Sequence, residues 1–169
     1  MSFVKTVAAA VYFSALLFFI ASCANPANDA NKAANTQADA TSETHGGAKT
    51  NLEELSLLIS IPTDAENVLD IFFREDKANK KLRAVLRFAE EETTKLTTDL
   101  QKLGDASDVT IEPETWFPDE LKSQSELRGE TALKGKSYPA NPFFLEPYST
   151  GRITRIDGTE FFVLELTAR

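Results

Sequence analysis

Apolar and polar positions divide this chain into three stretches. From Thr6 to Ala21 no residue is charged, and Val, Ala, Phe, Leu and Ile dominate. Residues 24–50 contain no Leu, Ile, Val, Phe, Tyr or Trp. From Leu52 onward apolar residues return at spacings that mark strands and helices. Leu55, Leu57, Ile59 and Ile61 alternate with Ser56, Leu58 and Ser60, which predicts a strand over 55–61 ended by Pro62. The preceding Leu52-Glu53-Glu54-Leu55 equally suits the start of a helix.

Thr63-Asp64-Ala65-Glu66 fits a capping box, yet Leu69-Asp70-Ile71-Phe72-Phe73 is rich in strand formers. Leu82, Ala84, Leu86 and Phe88 alternate with Arg83, Val85 and Arg87, the pattern of a half-buried strand. The reading favours a hairpin of 68–75 with 81–88 over a helix across 64–74, because it supplies that strand with a partner. Asp76 to Lys80 is its turn. Glu90-Glu91-Glu92 opens the clearest helix, since three carboxylates suit the positive end of the helix dipole. Leu96, Leu100 and Leu103 form its stripe, Glu91 can pair with Lys95, and Gly104 ends it.

Residues 105–150 are the least regular, with a loop over 105–108 and a short strand over 109–111. The C-terminal signal is stronger. Arg152 to Ile156, Asp157-Gly158 and Thr159 to Ala168 predict a hairpin with a type I′ turn. In that register Arg155 faces Glu160, Ile153 faces Phe162, and Phe162, Leu164 and Leu166 line the buried face. Together these elements predict an α+β domain over 52–169, a small antiparallel sheet of four to five strands with one main covering helix.

The first fifty residues carry a different message. A single Lys5, the apolar run and the small residues before Cys23 have the layout of a secretory signal peptide, and the run is too short to span a bilayer comfortably. Ile20-Ala21-Ser22-Cys23 resembles the lipobox of bacterial lipoproteins: an aliphatic residue, two small residues and a cysteine. The resemblance covers residues 1–23. It implies that the Cys23 thiol receives a diacylglyceryl group, that 1–22 are removed as a signal peptide, and that the protein is held in the membrane by its N-terminal lipid. Ala24 in place of Asp implies an outer-membrane destination by the same likeness. One acyl chain binds a bilayer marginally and two or more bind it stably. The stretch from Cys23 to residue 51 cannot bury enough apolar surface to offset its ordering entropy, so a disordered tether is expected. Its 27 residues over 24–50 would span about 30 Å as a coil.

Composition narrows the chemistry. All of the net charge of −8 falls within residues 53–169, which argues against nucleic-acid binding and mainly favours solubility. Cys23 is the lone cysteine, so no intrachain disulfide is possible. His45 is the lone histidine, and it sits in the tether beside Gly46-Gly47 without the partners a metal site needs. The domain therefore has no imidazole base and no thiol nucleophile, and no cofactor or metal is expected. Glu112, Glu114, Asp119 and Glu120 cluster around Trp116, the one arrangement that could supply a carboxylate pair for a small envelope hydrolase. That hydrolase is the alternative; the leading reading is a non-catalytic binding or structural role with an envelope protein partner. For that role Trp116 and Phe117, with Tyr138, Phe143, Phe144 and Tyr148 in a Pro-interrupted segment, are the candidate contact residues. The competing role for these rings is core packing. The run from Ile61-Pro62 through Arg87-Phe88 to Trp116-Phe117-Pro118 resembles envelope proteins of unassigned function, which implies no residue roles.

Overall fold

Two local hairpins, joined edge to edge, form the frame of the domain. The computed structural model describes residues 46–127 and 131–169. The expected signal peptide over 1–22, the lipidation site Cys23, the tether as far as residue 45, and His45 itself lie outside the described residues. The first hairpin pairs β1 (Val68–Asp76) with β2 (Lys81–Phe88), as the alternation predicts. The capping-box sequence makes only a single 3₁₀ turn, Ala65–Asn67, before the strand begins. In the turn, Asp76 accepts hydrogen bonds from the Asn79 backbone (3.0 Å) and side chain (2.6 Å).

The second hairpin pairs β5 (Tyr148–Ile156) with β6 (Phe161–Ala168). Its register differs from the sequence expectation. Arg155 lies opposite Phe162 and Ile153 opposite Leu164, a slip of two residues. The connection is four residues rather than two. A type I′ turn needs positive φ at both central residues, and here only Gly158 has it, at 73°. Thr159 then holds the loop, its hydroxyl donating to the Ile156 carbonyl and accepting from the Phe161 amide. A slip of one would have turned every side chain over; a slip of two preserves the faces. Phe162, Leu164 and Leu166 are accordingly buried as expected.

Between the hairpins lie α2 (Glu90–Gln101), β3 (Ser107–Ile111), α3 (Asp119–Leu127) and β4 (Leu133–Pro139). The sheet has six antiparallel strands in the order β1-β2-β6-β5-β4-β3, more than the four or five expected. Strand β4 was hidden by its sequence, Leu-Lys-Gly-Lys-Ser-Tyr-Pro, which is poor in strand formers. Its pairing on both sides supplies what propensity does not. α3 is likewise absent from the sequence reading.

Both faces of the sheet are covered. On one, Leu82, Ala84, Leu86, Phe88, Phe162, Leu164 and Leu166 pack with Leu96 and Leu100 of α2. On the other, Val85, Phe161 and Val163 pack with Trp116, Phe117 and Leu121. The α2 stripe stops at Leu100; Leu103 lies past the helix and is half exposed. Lys95 pairs with Glu92 at 3.1 Å rather than with Glu91.

The region read as a strand over 55–61 begins instead with a helix, α1 (Leu52–Ser56). The Asn51 side chain caps it by accepting from the Glu54 amide at 2.9 Å, and Glu53 and Glu54 occupy the favourable first turn. Helical spacing then buries Leu55 and Ile59, four apart, and leaves Leu57 78% exposed. Ordered structure starts before the expected limit of the tether. Ala48 is fully buried, and Lys49 exchanges two backbone hydrogen bonds with Phe73 on the edge strand β1 (2.9 and 2.8 Å).

Candidate functional site

The aromatic residues singled out from the sequence are mostly core. Trp116, Phe117 and Phe143 have no exposed surface, and Tyr138 and Tyr148 are buried. Phe144 alone is half-buried. They also divide between the two cores: Trp116 and Phe117 on one face of the sheet, Tyr138, Phe143, Phe144 and Tyr148 on the other. An exposed aromatic contact patch is therefore not what these residues form, and the packing role prevails. The rings pay for the two-sided burial of the sheet, with Trp116 and Phe117 meeting edge to face at 4.8 Å.

The four clustered acids separate in a similar way. Glu112 is exposed. Asp119 pairs with Lys122 at 2.7 Å, and Glu120 approaches Arg87 at 3.4 Å beside a different depression from Glu114. Glu114 accepts from the Trp116 indole Nε1 at 2.6 Å and also pairs with Arg83. The acids do not converge as a catalytic pair.

What the strand pairing does bring together is a row of charges. Arg74 of β1 stands opposite Arg83 of β2, Arg83 opposite Glu165 of β6, and Glu165 opposite Arg152 of β5. Neighbouring strands lie about 5 Å apart, so four charged side chains cross one face in sequence. The alternation of the strands dictates this: Leu82 and Ala84 point into the α2 side, leaving Arg83 for the other.

The hydrogen bonds link the row into a network. Arg83 donates through Nε (3.1 Å) and Nη2 to Glu165 Oε1, and through Nη1 to Glu114. Arg152 Nε donates to Glu165 Oε2 at 2.6 Å. Burial opposes the charge on Glu165, but the hydrogen bonds from Arg83 and Arg152 outweigh it and hold the carboxyl below the usual range. Burial likewise works against Arg83, and its two carboxylate partners more than compensate, raising its pKa. Arg74 is held differently. It donates to the Gly46 carbonyl, and its guanidinium lies 5.7 Å from the Trp116 ring centre.

Above this row the surface opens into a groove of about 1000 Å³. Five cations, Arg74, Lys77, Lys81, Arg83 and Arg152, line it with four carboxylates, Glu75, Asp76, Glu114 and Glu165. Glu75 accepts from the hydroxyl of Tyr148, a residue of the α2-side core, at 3.2 Å; burial and the Glu75 charge push the tyrosine pKa up to about 12. A general acid working near neutrality needs a raised carboxyl pKa. The two groove carboxyls with a clear shift, Asp76 and Glu165, both move down. The arrangement can hold a charged ligand in place.

Sequence reasoning missed this site because its members look like ordinary solvated residues in half-buried strands. The signal that finds them is register. With Arg152 placed opposite Glu165, as observed, the row assembles; with the two-residue turn it does not. No family model matches the chain, and no curated protein or solved structure is significantly similar to it.

Proposed function

We propose that this chain is a lipid-anchored protein of the bacterial cell envelope whose domain acts by binding rather than catalysis. In this reading residues 1–22 are a signal peptide, Cys23 carries the lipid, and the stretch that follows is a disordered tether in the periplasm, attached at the outer membrane. The lipobox supports the anchor. The single observation that supports a binding role is the groove over Arg74, Arg83, Glu165 and Arg152, whose carboxylates are already engaged as acceptors. Its partner belongs to the envelope and is recognised by charge.

Metabolic labelling with palmitate followed by detergent phase separation tests the anchor. The wild-type protein carries label and enters the detergent phase, while Cys23→Ala is unlabelled and stays aqueous. Equal labelling or equal partitioning of the two proteins would refute the proposal.

A further inference from the structure

We infer that the groove is an oxyanion site for a phosphate-bearing ligand, centred on Arg74, Lys81 and Arg83. The inference rests on reading the groove as a binding site. Arg74 and Arg83 are direct cross-strand neighbours, and Lys81 precedes Arg83 by two residues on the same face of β2. Three cations thus lie within about 8 Å of one another at the backbone. Like charges directly opposite are destabilising unless something negative sits between them.

Arg83 is balanced by Glu165 and Glu114. Arg74 has no carboxylate partner among the described residues; its contacts are the Gly46 carbonyl and the Trp116 ring. Lys81 is exposed, with Asp76 as its nearby counter-charge. The groove keeps a small cationic excess in a chain of net charge −8. That local reversal of sign is the feature that calls for an anion.

Glu114 shows how such an anion would bind. It comes from the segment between β3 and α3, not from the sheet, and places a carboxylate on the Arg83 fork. It is the internal occupant of the position an external oxyanion would take. A carboxylate matches one arginine fork, whereas a tetrahedral dianion offers oxygens to cations on two strands at once. The groove is far larger than a bare phosphate and has room for the molecule that carries one. Gly46 meets Arg74 at this groove, its carbonyl accepting from the guanidinium. A phosphate on a lipid headgroup and one on a soluble molecule share this chemistry.

Trp116 is the sole tryptophan and lies against Arg74 and Glu114, which makes its fluorescence the readout. The detergent-solubilised full chain is titrated at fixed ionic strength with glycerol 3-phosphate, then with vesicles containing phosphatidylglycerol, against sodium chloride and phosphatidylcholine vesicles. A saturable change is expected, roughly tenfold weaker in Arg74→Gln and in Lys81→Gln. Glu114→Gln, which keeps an acceptor for the indole, is expected to bind a few-fold more tightly. A response to glycerol 3-phosphate assigns a soluble ligand, and one confined to phosphatidylglycerol vesicles assigns the headgroup. The inference is overturned by an equal response to chloride, by no response in either arm, or by unchanged affinity in both Arg74→Gln and Lys81→Gln. Lys81→Gln, on an exposed side chain, guards against a folding defect in Arg74→Gln. Failure here leaves the Cys23 anchor untouched, and failure of the anchor leaves the glycerol 3-phosphate arm standing.

Discussion

Arg83 of β2 and Glu165 of β6 stand opposite each other and are joined by two hydrogen bonds from one guanidinium to one carboxylate oxygen. Arg83 is 32% exposed and Glu165 21%, so loss of either partner leaves a half-buried charge unpaired. The pair ties the two hairpins together at the point where their strands meet.

This pair makes stability fall in acid. The folded Glu165 carboxyl titrates below its ordinary value of 4.5, so its contribution is complete above that pH and disappears as pH drops through the folded value. Glu165→Gln should cost about 1–3 kcal/mol at pH 7 by replacing the carboxylate that Arg83 and Arg152 share with a neutral amide that has a single acceptor oxygen. Urea denaturation at pH 7 and pH 3 checks both statements. The wild type loses more stability between them than the variant does, and equal losses would contradict the role assigned to Glu165.

Tyr148 acts at the other end of the pH scale. Its folded pKa is about 12 against 10.0 for the free side chain, so an unfolded chain ionises first. Its contribution is complete below pH 10 and is lost as pH rises from 10 to 12. Tyr148→Phe should flatten stability across that window, measured as denaturation midpoints at pH 9 and 11.5. In ultraviolet titration, Glu75→Gln should bring the late tyrosine transition to lower pH.

Gly46 turns the chain onto β1 with φ at 55°, and a Cβ there would lie 3.0 Å from the Trp116 Cα. Gly46→Ala should cost about 1–2 kcal/mol, felt in the strap, the segment 46–49 that Lys49 pairs to β1 at Phe73. Hydrogen exchange at the Lys49 and Phe73 amides, which bond across this junction, should speed up while β2 and β6 amides keep their protection. Uniform acceleration throughout the sheet would show that the strap is not a separate unit.

Leu55 and Leu57 distinguish helix from strand in one experiment. A strand of period two would bury both, whereas α1 buries Leu55 completely and exposes Leu57. Leu55→Ala should destabilise by about 2–5 kcal/mol, and Leu57→Ala should stay within about 0.5 kcal/mol. Similar costs at the two positions would restore the strand.

How much of this was legible in the sequence follows from the range of the interactions. The β1–β2 hairpin, α2 and the faces of β6 rest on local periodicity, and each is present. Around α1 the sequence leaves strand and helix open because a short apolar run satisfies both periods, and the Asn51 cap decides for the helix. β4 and α3 depend on tertiary pairing more than on their own composition. The charged row needs two registers at once. One is the long-range pairing of β2 with β6, and the other is the hairpin offset that Thr159 sets. Neither leaves a local trace, so Arg74, Arg83, Arg152 and Glu165 stayed hidden while the buried aromatic rings drew notice.

Membrane attachment is the claim on which the proposed function depends, and intact mass spectrometry of the protein extracted from membranes tests it most directly. The account predicts a chain that begins at Cys23 and carries a diacylglyceryl group, with residues 1–22 gone. A species that retains Met1, or one that starts elsewhere with an unmodified Cys23, would contradict it.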